Sequence, residues 1–186
     1  MSQDSLVSPA ATARFVVTLP PEPSRLGEAL RKDIASKFSS LTDTTDAFRH
    51  LALRAQQRLV VMVPYIDTVG AQWAIELFEL TSASQRIIVL RDASQLLTCG
   101  PAGRRIQELA TVRDYAPEGH PEGHSDETFH AKIVLADGVA AYVGSANLLR
   151  RSKGVNLECG MLVEGPAVRA IKVVVDAVLS TFAAAG

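Results

Sequence analysis

Several kinds of residue and segment are scarce in this sequence, and each shortage excludes a class of protein. The 186 residues include only two cysteines, Cys99 and Cys159, which are too few for a disulfide scaffold and are typical of a reducing compartment. No apolar run approaches the roughly 18 residues of a membrane-spanning helix, and the N-terminus lacks the basic and apolar regions of a signal peptide. We therefore expect a cytoplasmic protein without a membrane partner.

A surplus of charge of one sign is also absent. The 19 Lys and Arg residues balance 20 Asp and Glu residues, for a formal net charge of -1. This excludes a histone-like basic protein but leaves room for an enzyme with a local basic site. With 47% hydrophobic and 21% charged residues, the chain is not disordered. We expect a flexible N-terminal extension over residues 1–13 and a single domain over residues 14–186.

The first half of the chain alternates between two apolar patterns. Residues 59–63 and 87–90 are short β-branched runs typical of buried strands. Between these two runs, apolar residues recur with the spacing of a helix, and this spacing places Trp73 on the apolar face of that helix. An earlier amphipathic helix is predicted over residues 24–38. This alternation favours helices that cover a largely parallel sheet.

The second half is richer in strands. Residues 129–136 and 139–143 are joined by Asp137-Gly138, a pair typical of a tight hairpin. A further strand is predicted over residues 155–163, followed by a last helix. Because a hairpin joins antiparallel strands, the sheet as a whole is expected to be mixed.

The residues able to do chemistry are concentrated around this hairpin. His130 and Lys132 share one face of a strand because side chains alternate along it, so an imidazole lies beside an ammonium. Ser145 and Asn147 come directly after Gly144, where small donors and free backbone N–H groups suit a phosphate. His130 is the only group among them that can act as nucleophile or proton carrier near neutral pH.

These positions form one spaced pattern. It reads HxK(x)4D(x)6GSxN and consists of His130, Lys132, Asp137, Gly144, Ser145 and Asn147. The pattern resembles the signature of the phospholipase D superfamily, in its single-motif, nuclease-like branch. The resemblance implies an α/β fold, an α-β-α sandwich around a mixed, largely parallel β-sheet. It also implies cleavage or transfer of phosphodiesters without a metal or other cofactor.

The resemblance also implies a catalytic set of His130, Lys132 and Glu158. One motif histidine would form a covalent phosphohistidine, and a second would protonate the leaving group. Lys132, Ser145 and Asn147 would hold the phosphate oxygens, and Glu158 would orient the histidine. No other histidine of this chain is followed two residues later by lysine. The resemblance therefore implies a homodimer that shares one active site across a two-fold axis.

Plainer interpretations exist for several of these positions. Asp137 lies in a tight turn, where Asp is favoured for its conformation alone, so we assign it a structural role, as for Gly144. Ser145 and Asn147 could cap a helix, a role that uses the same geometry as phosphate binding. Glu158 could form a structural ion pair on its strand.

Charge is unevenly distributed around the motif. Arg150, Arg151 and Lys153 follow it without an intervening acid, which suggests a basic substrate rim. The preceding residues 114–127 contain five acids and no lysine or arginine, and we expect this loop to repel polyanions near the site mouth.

The acidic loop also contains two histidines with the spacing of a helical metal pair, His120 and His124. A proline and a glycine lie between them and disfavour a helix. We therefore expect no metal site there.

Three hypotheses about the substrate remain open. Single-motif members of the family are mostly endonucleases, which favours cleavage of DNA or RNA. The Val17-Thr18-Leu19-Pro20 start and the layout resemble the phospholipase D-like component of the DISARM phage-defence system, which implies defence-system partner proteins. The alternatives are a lipid or small-molecule phosphodiesterase, for which the sequence offers no basic amphipathic surface helix, and a catalytically silent nucleic-acid-binding subunit.

Overall fold

The computed structural model describes residues 10–37, 42–115 and 129–181. The strands are β1 (Thr12–Thr18), β2 (Arg58–Met62), β3 (Gln85–Leu90), β4 (Thr111–Asp114), β5 (Lys132–Ala136), β6 (Ala140–Gly144) and β7 (Glu158–Glu164). The helices are α1 (Arg25–Lys37), α2 (Thr44–Arg54), α3 (Thr68–Leu80), α4 (Gln95–Thr98), α5 (Pro101–Leu109), α6 (Arg150–Gly154) and α7 (Val168–Thr181).

The seven strands of the described ranges join in one sheet, in the order β1-β7-β6-β5-β2-β3-β4. The predicted mixed α/β fold is confirmed, but the expected balance of the sheet is corrected. Among the strands within the described ranges, only the β2–β3 and β3–β4 pairs are parallel, and the other four pairs are antiparallel. The strand–helix alternation on which the expectation depends is confined to the part of the chain that forms the parallel pairs. The antiparallel ladders come from the β5–β6 hairpin, from β7, and from the N-terminal β1, which pairs with β7.

Two apolar clusters hold the helices on opposite faces of the sheet. Within β2, Leu59 and Val61 pack toward α2, α3 and α5, whereas Val60 and Met62 pack toward α7. Trp73 is fully buried in the first cluster, as its helical spacing predicts. Each such side chain removed from water contributes roughly 1.5–3 kcal/mol. The β2 run is therefore apolar at every position because helices cover both of its faces.

The β5–β6 hairpin is fixed by its turn residues. Asp137 and Gly138 adopt positive φ values of 53° and 79°, as in the tight turn that this pair predicts. The Asp137 carboxylate accepts hydrogen bonds from the backbone N–H groups of Gln56, Gln57 and Arg58 at 2.7, 3.0 and 2.6 Å. Burial would raise the pKa of this carboxyl, but the three donors lower its pKa below the usual value.

The N-terminal part of the chain differs from its expected boundary. β1 begins at Thr12, so the last two residues of the predicted extension pair with β7 instead, Thr12 opposite Glu164 and Ala13 opposite Val163. Ladder hydrogen bonds to an otherwise open edge explain this extra order. Residues 1–9 lie outside the described ranges, as does Phe38 at the predicted end of α1.

None of the helices within the described ranges is long and apolar enough to cross a membrane.

Candidate active site

One edge of the sheet gathers most of the predicted site residues. His130 lies two residues before the start of β5, Gly144 ends β6 and Glu158 begins β7. Because these neighbouring strands are antiparallel, all three ends lie at the same edge. An open cleft of about 520 Å³ lies there, and its lining includes His130, Lys132, Ser145, Asn147, Arg151, Asn156 and Glu158.

His130 and Lys132 form the centre of the cleft. The imidazole is exposed, whereas Lys132 is only 3% exposed. The Lys132 Nζ lies 2.8 Å from Nδ1 and 3.0 Å from Nε2 of His130, and it donates to the His130 carbonyl oxygen at 2.6 Å. Burial lowers the pKa of Lys132, against the opposing effect of the nearby Glu158 charge. A desolvated ammonium in this position is well suited to bind an anion.

Glu158 is engaged with Ser145 rather than with the histidine. The buried carboxylate accepts a short hydrogen bond from the Ser145 hydroxyl and another from Asn156 Nδ2 at 3.2 Å. Ser145 Oγ in turn accepts from the Cys159 N–H at 3.1 Å. No hydrogen bond joins Glu158 to His130 in the part of the chain that the structure describes, so its role in orienting the imidazole stays a prediction. For the same reason, Ser145 can donate to a phosphate only if its hydroxyl turns away from Glu158.

Asn147 presents an unsatisfied group at the cleft. Its backbone N–H donates to the hydroxyl of the buried Ser152 at 3.2 Å, while its side-chain Oδ1 is buried without a partner among the described residues. An unpaired buried polar atom costs about 1–3 kcal/mol. The Nδ2 end of the same amide is not buried in this way, and it is the N–H donor to a phosphate oxygen that the place of Asn147 in the motif predicts.

The loop that bears Ser145 and Asn147 is anchored to the start of α3. Asp67 donates its N–H to the Leu148 carbonyl at 3.1 Å, and its carboxylate accepts from the N–H groups of Arg150 at 2.9 Å and Gly70 at 2.8 Å. A Cβ at Gly70 would lie 1.5 Å from the Leu148 carbonyl oxygen, so only glycine permits this approach. The sequence identified Asp67 only as a possible helix cap, because its second partner is 83 residues away.

The predicted basic rim is divided. Arg151 lines the cleft, and Arg150 is exposed at the start of α6. Lys153 instead pairs with Glu76 at 3.2 Å, and its Nζ lies 5.5 Å from the centroid of the Trp73 ring. It is therefore held against α3 and not over the cleft.

Asp137 and Gly144, the two motif positions predicted to be structural, contact the strands rather than the cleft. Asp137 lies at the opposite end of β5 from His130. A Cβ at Gly144 would lie 2.3 Å from the Tyr142 hydroxyl oxygen and 2.6 Å from the Cys159 carbonyl oxygen, so no larger residue fits there. Burial also raises the pKa of Tyr142 to about 12, which keeps this phenol neutral.

Several sequence hypotheses fall on residues that the structure leaves undescribed. His120 and His124 lie there, together with all of the acidic loop beyond Tyr115. The remaining histidine, His50, bonds to Glu164 at 3.1 Å and does not line the cleft. Among the described residues, no group of three or more His, Cys, Asp or Glu side chains could hold a metal ion.

The sequence and the fold agree with one known family. A family model described as "Cardiolipin synthase, PLD-like domain" matches residues 49–179, more than half of the chain. The chain belongs to the phospholipase D-like family. No significant match is found among curated protein sequences.

Three solved structures share the fold of this phospholipase D-like chain. Nuc from Salmonella typhimurium, a phospholipase D family member, is 11% identical with a TM-score of 0.58, over 95% of this chain and 99% of Nuc. NucT from Helicobacter pylori is 11% identical with a TM-score of 0.59, over 95% and 100%. Phosphatidylserine synthase from Haemophilus influenzae Rd KW20 is 16% identical with a TM-score of 0.56, over 96% of this chain and 41% of the synthase.

Proposed function

We propose that this protein is a metal-independent phosphodiesterase that cleaves nucleic acid through a covalent phosphohistidine at His130. The observation that supports it most directly is the exposed imidazole beside the buried Lys132 ammonium, 2.8 Å apart, in an open cleft. An open cleft admits a continuous polymer. Arg151 at its wall adds a second cation for the backbone phosphates.

The proposed reaction has two displacements at phosphorus. A ring nitrogen of His130 attacks the phosphorus, so that a P–N bond forms while the P–O bond to the leaving group breaks. The leaving oxygen takes a proton from a second imidazole. That imidazole then removes a proton from water, which attacks the phosphorus and breaks the P–N bond. Throughout, Lys132 and Asn147 would stabilise the charge on the phosphoryl oxygens.

The second imidazole is proposed to be His130 of a second copy. An exposed apolar strip supports such a homodimer. It consists of Phe15, Met161 and Val143, which are 50%, 37% and 37% exposed and lie side by side in register across β1, β7 and β6. Val143 directly precedes Gly144, so the strip reaches the edge of the cleft. Burial of this strip in a symmetric interface would remove apolar surface from water.

The activity is tested with one panel of substrates. Purified protein is incubated with single- and double-stranded DNA, RNA and a chromogenic bis-aryl phosphodiester, all in EDTA. We expect cleavage that survives EDTA and disappears in His130→Ala, while His50→Ala, which is distant from the cleft, retains it. Retention of ³²P on the wild-type protein, in reactions stopped with detergent at alkaline pH because a P–N bond is labile in acid, would report the phosphohistidine. A strict requirement for Mg²⁺ would overturn the mechanism.

The dimer is tested by light scattering at micromolar concentration. Met161→Glu should give a monomer with little nuclease activity, because a charge in the apolar strip opposes burial. Leu53→Glu is the matched control, since Leu53 is 57% exposed on α2, on the opposite face of the sheet. An active wild-type monomer would contradict the proposed shared site.

A second candidate is a lipid or small-molecule phosphodiesterase. The fold shared with phosphatidylserine synthase supports this candidate. However, this chain spans only 41% of that enzyme and nearly all of Nuc and NucT, which supports it less than the nuclease. Cleavage of a short-chain phospholipid and not of DNA or RNA in the same panel would favour this candidate. A stable dimer that binds nucleic acid and cleaves no substrate would favour a silent subunit.

A role in phage defence, with partner proteins of a defence system, is a further part of the proposal. It rests on the resemblance carried by Val17-Thr18-Leu19-Pro20. Cells that express the complete defence system should resist phage with the wild-type chain and lose that resistance with His130→Ala. Equal resistance with both chains would remove catalysis from this role.

A further inference from the structure

Tyr65 lies beside the imidazole of His130. The antiparallel ladder of β2 and β5 ends with Met62 opposite Ile133, and Tyr65 and His130 each lie three residues beyond this pair. Their ring centroids are 6.4 Å apart and their planes make an angle of 70°. Tyr65 is 37% exposed. A flat aromatic surface therefore borders the proposed scissile phosphate.

Arg91 extends this surface by one strand. It directly follows β3, which runs parallel to β2, and its Nη1 donates to the Tyr65 hydroxyl at 2.9 Å. The arginine is exposed, and none of the ion pairs within the described ranges includes it. Most of its guanidinium donors are therefore open to an anionic ligand.

The backbone on both sides of Tyr65 is held in place by one side chain. Gln95 Nε2 donates to the Pro64 carbonyl at 3.1 Å, and Gln95 Oε1 accepts from the Ile66 N–H at 3.1 Å. The position of the tyrosine is thus fixed by α4 rather than left to a loose loop. A preorganised aromatic side chain loses little freedom when a ligand stacks on it.

We propose that Tyr65 and Arg91 form a nucleotide-binding subsite for single-stranded nucleic acid, next to the scissile phosphate. A base flanking the cleavage point stacks on the Tyr65 ring, and Arg91 binds the adjacent backbone phosphate. β5 and β3 are two strand spacings apart, roughly 10 Å, so the subsite lies beyond the phosphate held at His130. Stacking requires a base that is free of its partner strand, which favours single strands over duplexes. This inference rests on the proposed nuclease function.

The first test compares a polymer with a small substrate. Tyr65→Ala and Arg91→Ala should each raise KM for a single-stranded oligonucleotide about 10-fold or more, and this loss should exceed any loss on the bis-aryl phosphodiester by a similar factor. Tyr65→Phe should keep most of the wild-type KM because it keeps the ring. Arg169→Ala, an exposed arginine at the opposite edge of the sheet, is the matched control and should change neither substrate.

The second test measures binding in the inactive His130→Ala background by fluorescence anisotropy. Arg91→Ala should reduce the slope of log K against log salt by about 0.7, the value for one lost phosphate contact on a single strand. Tyr65→Ala should weaken binding of an intact oligonucleotide, and this effect should disappear with an oligonucleotide that lacks the flanking base.

The outcomes separate the two proposals. Equal losses on the oligonucleotide and the small diester, or a Tyr65→Ala effect that persists without the base, would overturn the subsite while the phosphodiesterase function stands. A wild-type protein that cleaves neither substrate would overturn the function itself. A larger effect of Tyr65→Ala on duplex binding than on single-strand binding would also overturn the subsite.

Discussion

The two ends of β5 hold their polar groups in opposite ways. At the hairpin end, the Asp137 carboxylate accepts three backbone hydrogen bonds, so that both of its oxygens have a partner. At the other end, an exposed His130 lies beside a buried lysine whose pKa is lowered, and Asn147 has an unpaired buried oxygen. Polar groups satisfied by the backbone stabilise a fold, whereas an exposed imidazole beside a desolvated ammonium is typical of a functional site. One strand of five residues thus separates a structural site from a candidate active site.

The largest expected effect comes from a substitution at the cleft end of β5, which we call the open end because its His130 is exposed. His130→Ala should lower the rate on any cleaved diester on the order of 10⁴-fold or more, because it removes the proposed nucleophile. Its free energy of unfolding should change by less than about 0.5 kcal/mol, since the side chain is exposed. Steady-state assays and urea unfolding measure the two quantities. A destabilised but active variant would contradict this division.

A substitution at the hairpin end of β5 should do the opposite and lower the stability of the fold more than its activity. Asp137→Ala removes the acceptor of three hydrogen bonds and is expected to lower the free energy of unfolding by about 2–4 kcal/mol. The rate per folded molecule should remain near that of the wild type. Asp137→Asn, which tolerates the positive φ and keeps one acceptor oxygen, should lose less. A fall in kcat with unchanged stability would assign Asp137 to the active site.

The same end predicts a dependence of stability on pH. Because the pKa of Asp137 is lower in the folded chain than its ordinary value of 3.8, its stabilisation is fully present above that value. It is lost as the pH falls through the folded pKa. The stability difference between wild type and Asp137→Asn should therefore shrink below about pH 4 in urea titrations. A constant difference down to pH 2 would contradict the lowered pKa.

A smaller effect tests how the open end is positioned. Asp67→Ala should reduce kcat about 10-fold, because the loop bearing Ser145 and Asn147 loses its anchor at Arg150. Asp67→Asn should retain part of the activity through its remaining acceptor. When Asp67→Ala is combined with the inactivating His130→Ala, the affinity for inorganic phosphate, measured by calorimetry, should be lower than in His130→Ala alone. Unchanged affinity would assign Asp67 to helix capping alone.

The smallest expected effect concerns the charge of Lys132. Its pKa is lowered by burial, so the ammonium is lost as the pH rises through a value below the ordinary 10.5. KM should therefore increase in the alkaline range before a free lysine would titrate, while circular dichroism confirms that the chain stays folded. Lys132→Arg keeps its charge at these pH values, so its KM should not rise in the same range. An alkaline rise in KM shared by both proteins would exclude Lys132 as its source.

Much of this contrast could be predicted from local sequence. Strand alternation places His130 and Lys132 on one face, and Asp137-Gly138 specifies the hairpin, because both depend on backbone geometry between near neighbours. The proportion of parallel strands was wrong, since periodicity shows that a strand is buried but not which strand it pairs with. Likewise, the motif predicted the cleft residues but not that Ser145 bonds Glu158.

The sequence by itself determined the local parts of the candidate active site: its residue types, their spacing and the turn that joins β5 to β6. Only the tertiary structure decided what surrounds it. The anchor at Asp67 joins residues 83 positions apart, and the Tyr65–Arg91 pair joins residues that follow different strands, 26 positions apart. Contacts of this kind depend on which strands become neighbours in the sheet. That choice is set by the packing of the whole core, which no short segment of the chain encodes.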